Sequence, residues 1–182
     1  MGINSNQLDK SQYYNIKIIQ LVIGILILTI GLLLYLIDRQ PETVFFINAF
    51  GLTSFYNPDN SRIFGGYHNN LPSFLHTCSL SLIHVAFISS NNRLKLLSIC
   101  ISWVFVNIMF EVGQLITPPL LINTPISFYK YTFMSPIIDY FKYGVFDYFD
   151  VLFSIFGGLT AYFIILTTYK KRTLNNELST KI

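Results

Sequence analysis

Residues 18–37 read IIQLVIGILILTIGLLLYLI, twenty residues without a charge. A helix rises about 1.5 Å per residue, so about twenty residues cross a hydrocarbon core of about 30 Å. The run is longer than the apolar core of a typical signal peptide and no small-residue cleavage site follows it, so it reads as a retained span. Gly24 and Gly31, seven residues apart within it, fit either a close helix contact or the ordinary glycine content of membrane helices.

Composition extends that reading to the whole chain. Of 182 residues, 52% are hydrophobic and 12% charged, with 17 Phe and 12 Tyr. A soluble domain carries about 25% charged residues. The expected fold is therefore all-α, a polytopic membrane protein in a single domain. A net charge of +3 without a basic cluster interleaved with stacking aromatics excludes a nucleic-acid partner. Cys78 and Cys100 fall inside apolar runs and read as small buried apolar residues, neither a disulfide framework nor a metal site.

Three further spans are predicted, over residues 71–89, 96–117 and 149–169. Pro72 suits the first turn of the second, where its missing N–H costs nothing. Ser73, His76, Thr77, Ser81 and His84 give that helix a polar stripe expected to face the bundle. Pro118-Pro119 is expected to end the third, whose face carries Trp103, Asn107, Glu111 and Gln114. On the fourth, Asp147, Asp150, Ser154, Gly157 and Ala161 share one face, small enough below the acids for close packing on the third span.

Outer loops are expected over residues 38–70 and 118–148, with interfacial segments at Val44–Tyr56 and Ser135–Tyr143 and turns at Gly65-Gly66 and Asn69-Asn70. Eight basic residues, Lys10, Lys17, Arg93, Lys95, Lys170, Lys171, Arg172 and Lys181, lie on the side of the termini, against four on the other, Arg39, Arg62, Lys130 and Lys142. Positive residues stay in the cytoplasm, so the expectation is a multi-pass plasma-membrane protein with both termini cytoplasmic. No internal repeat is visible, which weakens an inverted-repeat transporter.

Depth brings the polar residues together. Glu111 lies six residues before Thr117, roughly 9 Å below the outer end of its span, and His76 is roughly 7–8 Å in, with Asp150 about one turn in. A carboxylate at the centre of a membrane helix costs roughly 2.5–3.5 kcal/mol on insertion scales, so Glu111 is expected to face protein or water. His76, Glu111 and Asp150 are the candidate catalytic residues, and Gln114, Asp147, Asn107 and Ser154 the candidate binding residues. Capping of a helix N-terminus also accounts for Asp147 and Asp150. A structural Glu111 would hydrogen-bond Gln114, His76 or a backbone amide across the bundle. Neither metal nor cofactor is implied, because no ligand spacing such as His-x-x-x-His occurs.

Glu111-x-x-Gln114, then Asp150-x-x-x-Ser154-x-x-Gly157-Gly158 opening the last span, resembles the VanZ-like family of small bacterial membrane proteins. The family pattern is Glu-x-x-Gln, then Arg, then Asp with Asn four later and Gly three after that. His76 matches a histidine common in an earlier span, and the resemblance covers roughly residues 70–165. This chain departs from the pattern where Gly144-Val145 stands in place of the arginine, with Lys142 the nearest basic residue, and where Ser154 replaces the Asn. The link from Gln114 to Asp147 is also longer than the pattern implies. The resemblance implies a cell-envelope role: a polar pocket under the outer face that binds or modifies an amphipathic envelope lipid or glycolipid, with Glu111 as general acid or base. Two other readings stand behind it. One is a non-catalytic membrane subunit whose polar groups lock the helices. The other is a small ion- or proton-coupled transporter with a Glu111–His84 relay, although polar residues thin out beyond His84 and Asn107.

Overall fold

A computed structural model describes residues 5–38, 70–88, 90, 92–121, 141 and 144–179, with side chains described over 14–38, 70–88, 90, 92–116, 141 and 144–169. The expected segments at Val44–Tyr56 and Gly65-Gly66, and Ser135–Tyr143 apart from Phe141, lie outside them, as do Arg39, Arg62, Lys130, Lys142 and Lys181.

Four helices account for the described chain, and no strand occurs among the described residues: α1 (Ser5–Asp38), α2 (Leu71–Phe87), α3 (Arg93–Leu121) and α4 (Tyr148–Ser179). Three carry stretches long and apolar enough to cross a membrane, Tyr14–Asp38, Arg93–Ile116 and Tyr148–Tyr169. Large apolar side chains cover their outer faces, among them Ile18, Leu26, Phe105, Met109, Phe156 and Phe163. A helix apolar inside and out is one solvated by lipid, so this is an all-helical membrane protein. The remaining helix, α2, is apolar but only 17 residues long.

Two helices run further than the sequence predicts. The first begins at Ser5, well before Ile18, because adding turns to an apolar span already nucleated costs far less than starting a helix. The third passes through Pro118-Pro119 to Leu121 instead of stopping before them. Proline's fixed φ is itself helical, and the two prolines remove only the N–H donors of the Gln114 and Leu115 carbonyls, a loss confined to the last two turns of the helix.

The helices alternate in direction. Gln20 near the start of the α1 span donates to Thr168 Oγ1 near the end of the α4 span at 2.9 Å, while Gly31 lies against Leu75 and His76 at the start of α2. The central helix α2 packs most extensively on α1 and α4, and α3 packs on both α4 and α2. At Gly24 a Cβ would stand 2.8 Å from Ile83 Cγ1 and 3.1 Å from the Ser79 carbonyl, so this glycine permits a close approach of α1 and α2. At Gly31 a Cβ would meet nothing nearer than 3.6 Å. The small face of α4 divides between two neighbours. Gly157 lies under the Phe74 carbonyl and Thr77 of α2, and Gly158 against Val104 of α3.

The interior is unequal along its length. Cys78, Leu82, Val85, Leu96, Ile99, Cys100, Ala161 and Ile165 form the apolar core, towards the end where α2 stops and α3 starts. Both cysteines are free and buried there. The opposite end, where α2 and α4 begin, is packed with polar groups.

A candidate carboxylate site at the start of helices α2 and α4

Asp147 immediately precedes α4 and uses every polar atom it has. Its Oδ1 accepts from the Phe149 N–H at 2.8 Å and its carbonyl from the Asp150 N–H at 3.2 Å, the geometry of an N-cap. Its Oδ2 accepts from the Asn70 amide at 2.8 Å. Its own N–H donates to Glu111 Oε2 on α3 at 3.3 Å. In a capping box the third residue of the same helix would take that N–H. Here a carboxylate from another helix takes it, which leaves Asp150 at that third position available for α2.

Asp150 Oδ1 accepts from Ser73 Oγ at 2.8 Å and from the Asn70 amide at 3.3 Å. Asn70 sits at the N-cap position of α2 yet makes no side-chain cap bond to its own helix. Its amide faces the two aspartates instead. Three helix segments thus converge: the N-terminus of α2 supplies Asn70 and Ser73, α3 supplies Glu111, and the head of α4 supplies Asp147 and Asp150. Glu111 is 6% exposed and Gln114, one turn on, 7%.

The other candidates fall around this cluster. Ser154, one turn deeper than Asp150 on α4, is 1% exposed, and its hydroxyl has no hydrogen-bond partner among the described residues. The Asn107 amide donates back to the Trp103 carbonyl of its own helix at 3.0 Å. The His76 ring stacks on Tyr35 of α1, centroids 5.9 Å apart and planes 14° apart, so the face of α2 that it occupies is the one packed on α1. His84 is exposed, and its Nδ1 accepts from Trp103 Nε1 at 3.2 Å. The stripe expected to face the bundle therefore wraps around α2: Ser73 and Thr77 face α4, His76 faces α1, and His84 meets α3 at the surface. Phe141 lies against Gly113 and stacks on Phe110 at 5.5 Å, walling the α3 side.

Asn70 is the residue that sequence reasoning read only as a turn marker. Its signal was its place, just before Leu71-Pro72, at the end of the bundle where Asp147 also begins a helix. Tyr35 left no signal beyond its position near the end of an apolar run.

Fold and site together define a helical membrane protein with a buried carboxylate cluster at one end of the bundle. No family model, no curated protein and no solved structure matches the chain.

Proposed function

We propose that this chain is a VanZ-like plasma-membrane protein of the cell envelope, with four spans, both termini in the cytoplasm and its carboxylate cluster under the outer face. There it binds or modifies an amphipathic envelope substrate. The observation that carries the reading is the Glu111 carboxylate held against the Asp147 N–H across two helices, at the place where Asn70 and Ser73 of a third reach Asp147 and Asp150. Carboxylates and their donors from three separate segments meet at one end of the bundle, and intramembrane carboxylates gathered in this way mark sites more often than decoration.

Two features support the topology. A 17-residue helix extends about 25 Å, the short end of what spans a bilayer, and α2 is shielded by its three neighbours. With α2 crossing, the alternating helices return both termini to one side, the side that holds eight of the twelve basic residues. The VanZ-like assignment rests on the motif residues Glu111, Gln114, Asp150, Ser154, Gly157 and Gly158, of which Glu111 and Asp150 belong to the cluster. The non-catalytic subunit is the second reading, favoured by Asp147 acting as an N-cap, a purely structural task.

Glu111→Gln and Asp150→Asn separate the two. Each keeps size and hydrogen-bonding capacity and removes charge and proton exchange. Variants that insert and melt like the parent yet fail to restore the envelope defect of cells lacking the protein support a working site. Pairing the two changes should then add little, because residues acting as a unit are non-additive. Full restoration by both single variants favours the structural subunit.

A further inference from the structure

His84 faces outward at a depth where a polar side chain belongs inside. It is exposed on α2, three residues before Phe87, which is 73% exposed. The adjacent Ile83 lies against Gly24, six residues into the uncharged run that opens at Ile18 and so roughly 9 Å below its start. The indole that His84 meets belongs to Trp103, well inside the apolar stretch Arg93–Ile116 of α3. α1 and α3 flank this strip of α2 and have little contact with each other among the described residues. The imidazole therefore borders lipid hydrocarbon, below the level of the head groups.

In hydrocarbon no water satisfies a polar group that the protein leaves unpaired. Trp103 Nε1 can only donate, so His84 Nδ1, 3.2 Å away, is the acceptor. A neutral imidazole with an accepting Nδ1 carries its proton on Nε2, and that N–H has no acceptor among the described residues. Matching acceptors stand on the next helix. Ser98 and Ser102 of α3 are exposed, one turn apart on one face. Their hydroxyl protons go to the Lys95 and Ser98 carbonyls, each at 2.8 Å, so both oxygens are left as acceptors. Ser102 immediately precedes Trp103, whose indole reaches His84, so its hydroxyl and the imidazole lie within about one turn of the same depth. Small residues four apart also let another helix approach closely.

One lipid-facing surface thus holds a donor without an acceptor and acceptors without an outside donor, which makes it complementary to itself. Two copies inserted in the same direction are related by an axis along the membrane normal, and each residue then meets the other copy at its own depth. Lipid ester oxygens lie at the head-group boundary and offer the imidazole nothing at this level. We propose that this face of α2 and α3 pairs with a second copy of the chain, His84 Nε2–H of each copy donating to the Ser102 hydroxyl of the other. The surface lies near the end of α2, away from the carboxylate cluster at its start, and does not depend on how that cluster is read.

The test measures energy transfer between donor- and acceptor-labelled copies of the full-length protein in phosphatidylcholine liposomes, over a series of lipid dilutions. The parent should associate as pairs. His84→Phe keeps a ring beside Trp103 but removes two hydrogen bonds per pair, and should weaken association at least about ten-fold. Ser102→Ala keeps the close approach, removes the acceptor, and should weaken it alike while melting like the parent. The double variant should lose little more than either single one, because both changes remove the same bond. Transfer no higher than random mixing for the parent at every dilution overturns the proposal. Pairing that Ser102→Ala leaves undiminished overturns it too, as do losses that add fully in the double variant, since the two side chains then act apart.

Discussion

Asn70 is the side chain on which the cluster's geometry turns. One amide group touches both aspartates, at 2.8 and 3.3 Å. Removing a donor while its buried acceptor stays behind costs about 1–3 kcal/mol, more when the acceptor is charged. Asn70→Ala should therefore lower unfolding stability by about that amount in detergent, whereas Glu111→Gln should not, since its amide oxygen can still accept from the Asp147 N–H. Thermal melts of the two variants side by side check the contrast. The acids themselves were legible in the sequence because a carboxylate in an apolar run is conspicuous. Asn70 was not, because an asparagine before a helix ordinarily caps that helix. Only the meeting of two helix starts redirects its amide to Asp147 and Asp150, and that meeting is tertiary.

At the scale of the element, the glycines decide which helices touch. A Cβ at position 157 would sit 2.5 Å from the Phe74 carbonyl, a backbone atom that cannot step aside without moving α2. Gly157→Leu should destabilise or misassemble the bundle, by roughly 1–3 kcal/mol or more, as overpacking does. At Gly31 the same methyl meets ordinary contact distances, and alanine favours helix over glycine by about 1 kcal/mol, so Gly31→Ala should be neutral or stabilising. Melting temperatures of the two proteins in one detergent read both outcomes. Periodicity revealed the small face of α4 but assigned it to α3 alone, whereas Gly157 serves α2 and Gly158 serves α3. Helical phase says which residues share a face; it does not say which neighbour lies opposite. Proline was similarly over-read at the end of α3, where two of them sit inside the helix.

On the scale of the whole molecule, hydropathy gave the all-helical class and located all four helices, the second to within two residues of its end at Phe87, although its 17 residues leave it shorter than the other three. Burial of Cys78 and Cys100 makes the parent protein a silent background for thiol labelling. Cysteines introduced at Ser61 and Thr124 should react with an impermeant reagent applied to intact cells, and one at Asn176 should react only after lysis. Labelling at Asn176 in intact cells would reverse the topology.

The central claim is that α2, α3 and the head of α4 deliver their polar groups to a single buried place. An experimental structure of the full chain in a lipid nanodisc tests it most directly. The account predicts the Glu111 carboxylate against the Asp147 N–H, with Asn70 and Ser73 on the neighbouring aspartates. A Glu111 turned to lipid or to a separate cavity, with α2 displaced from the head of α4, would contradict it.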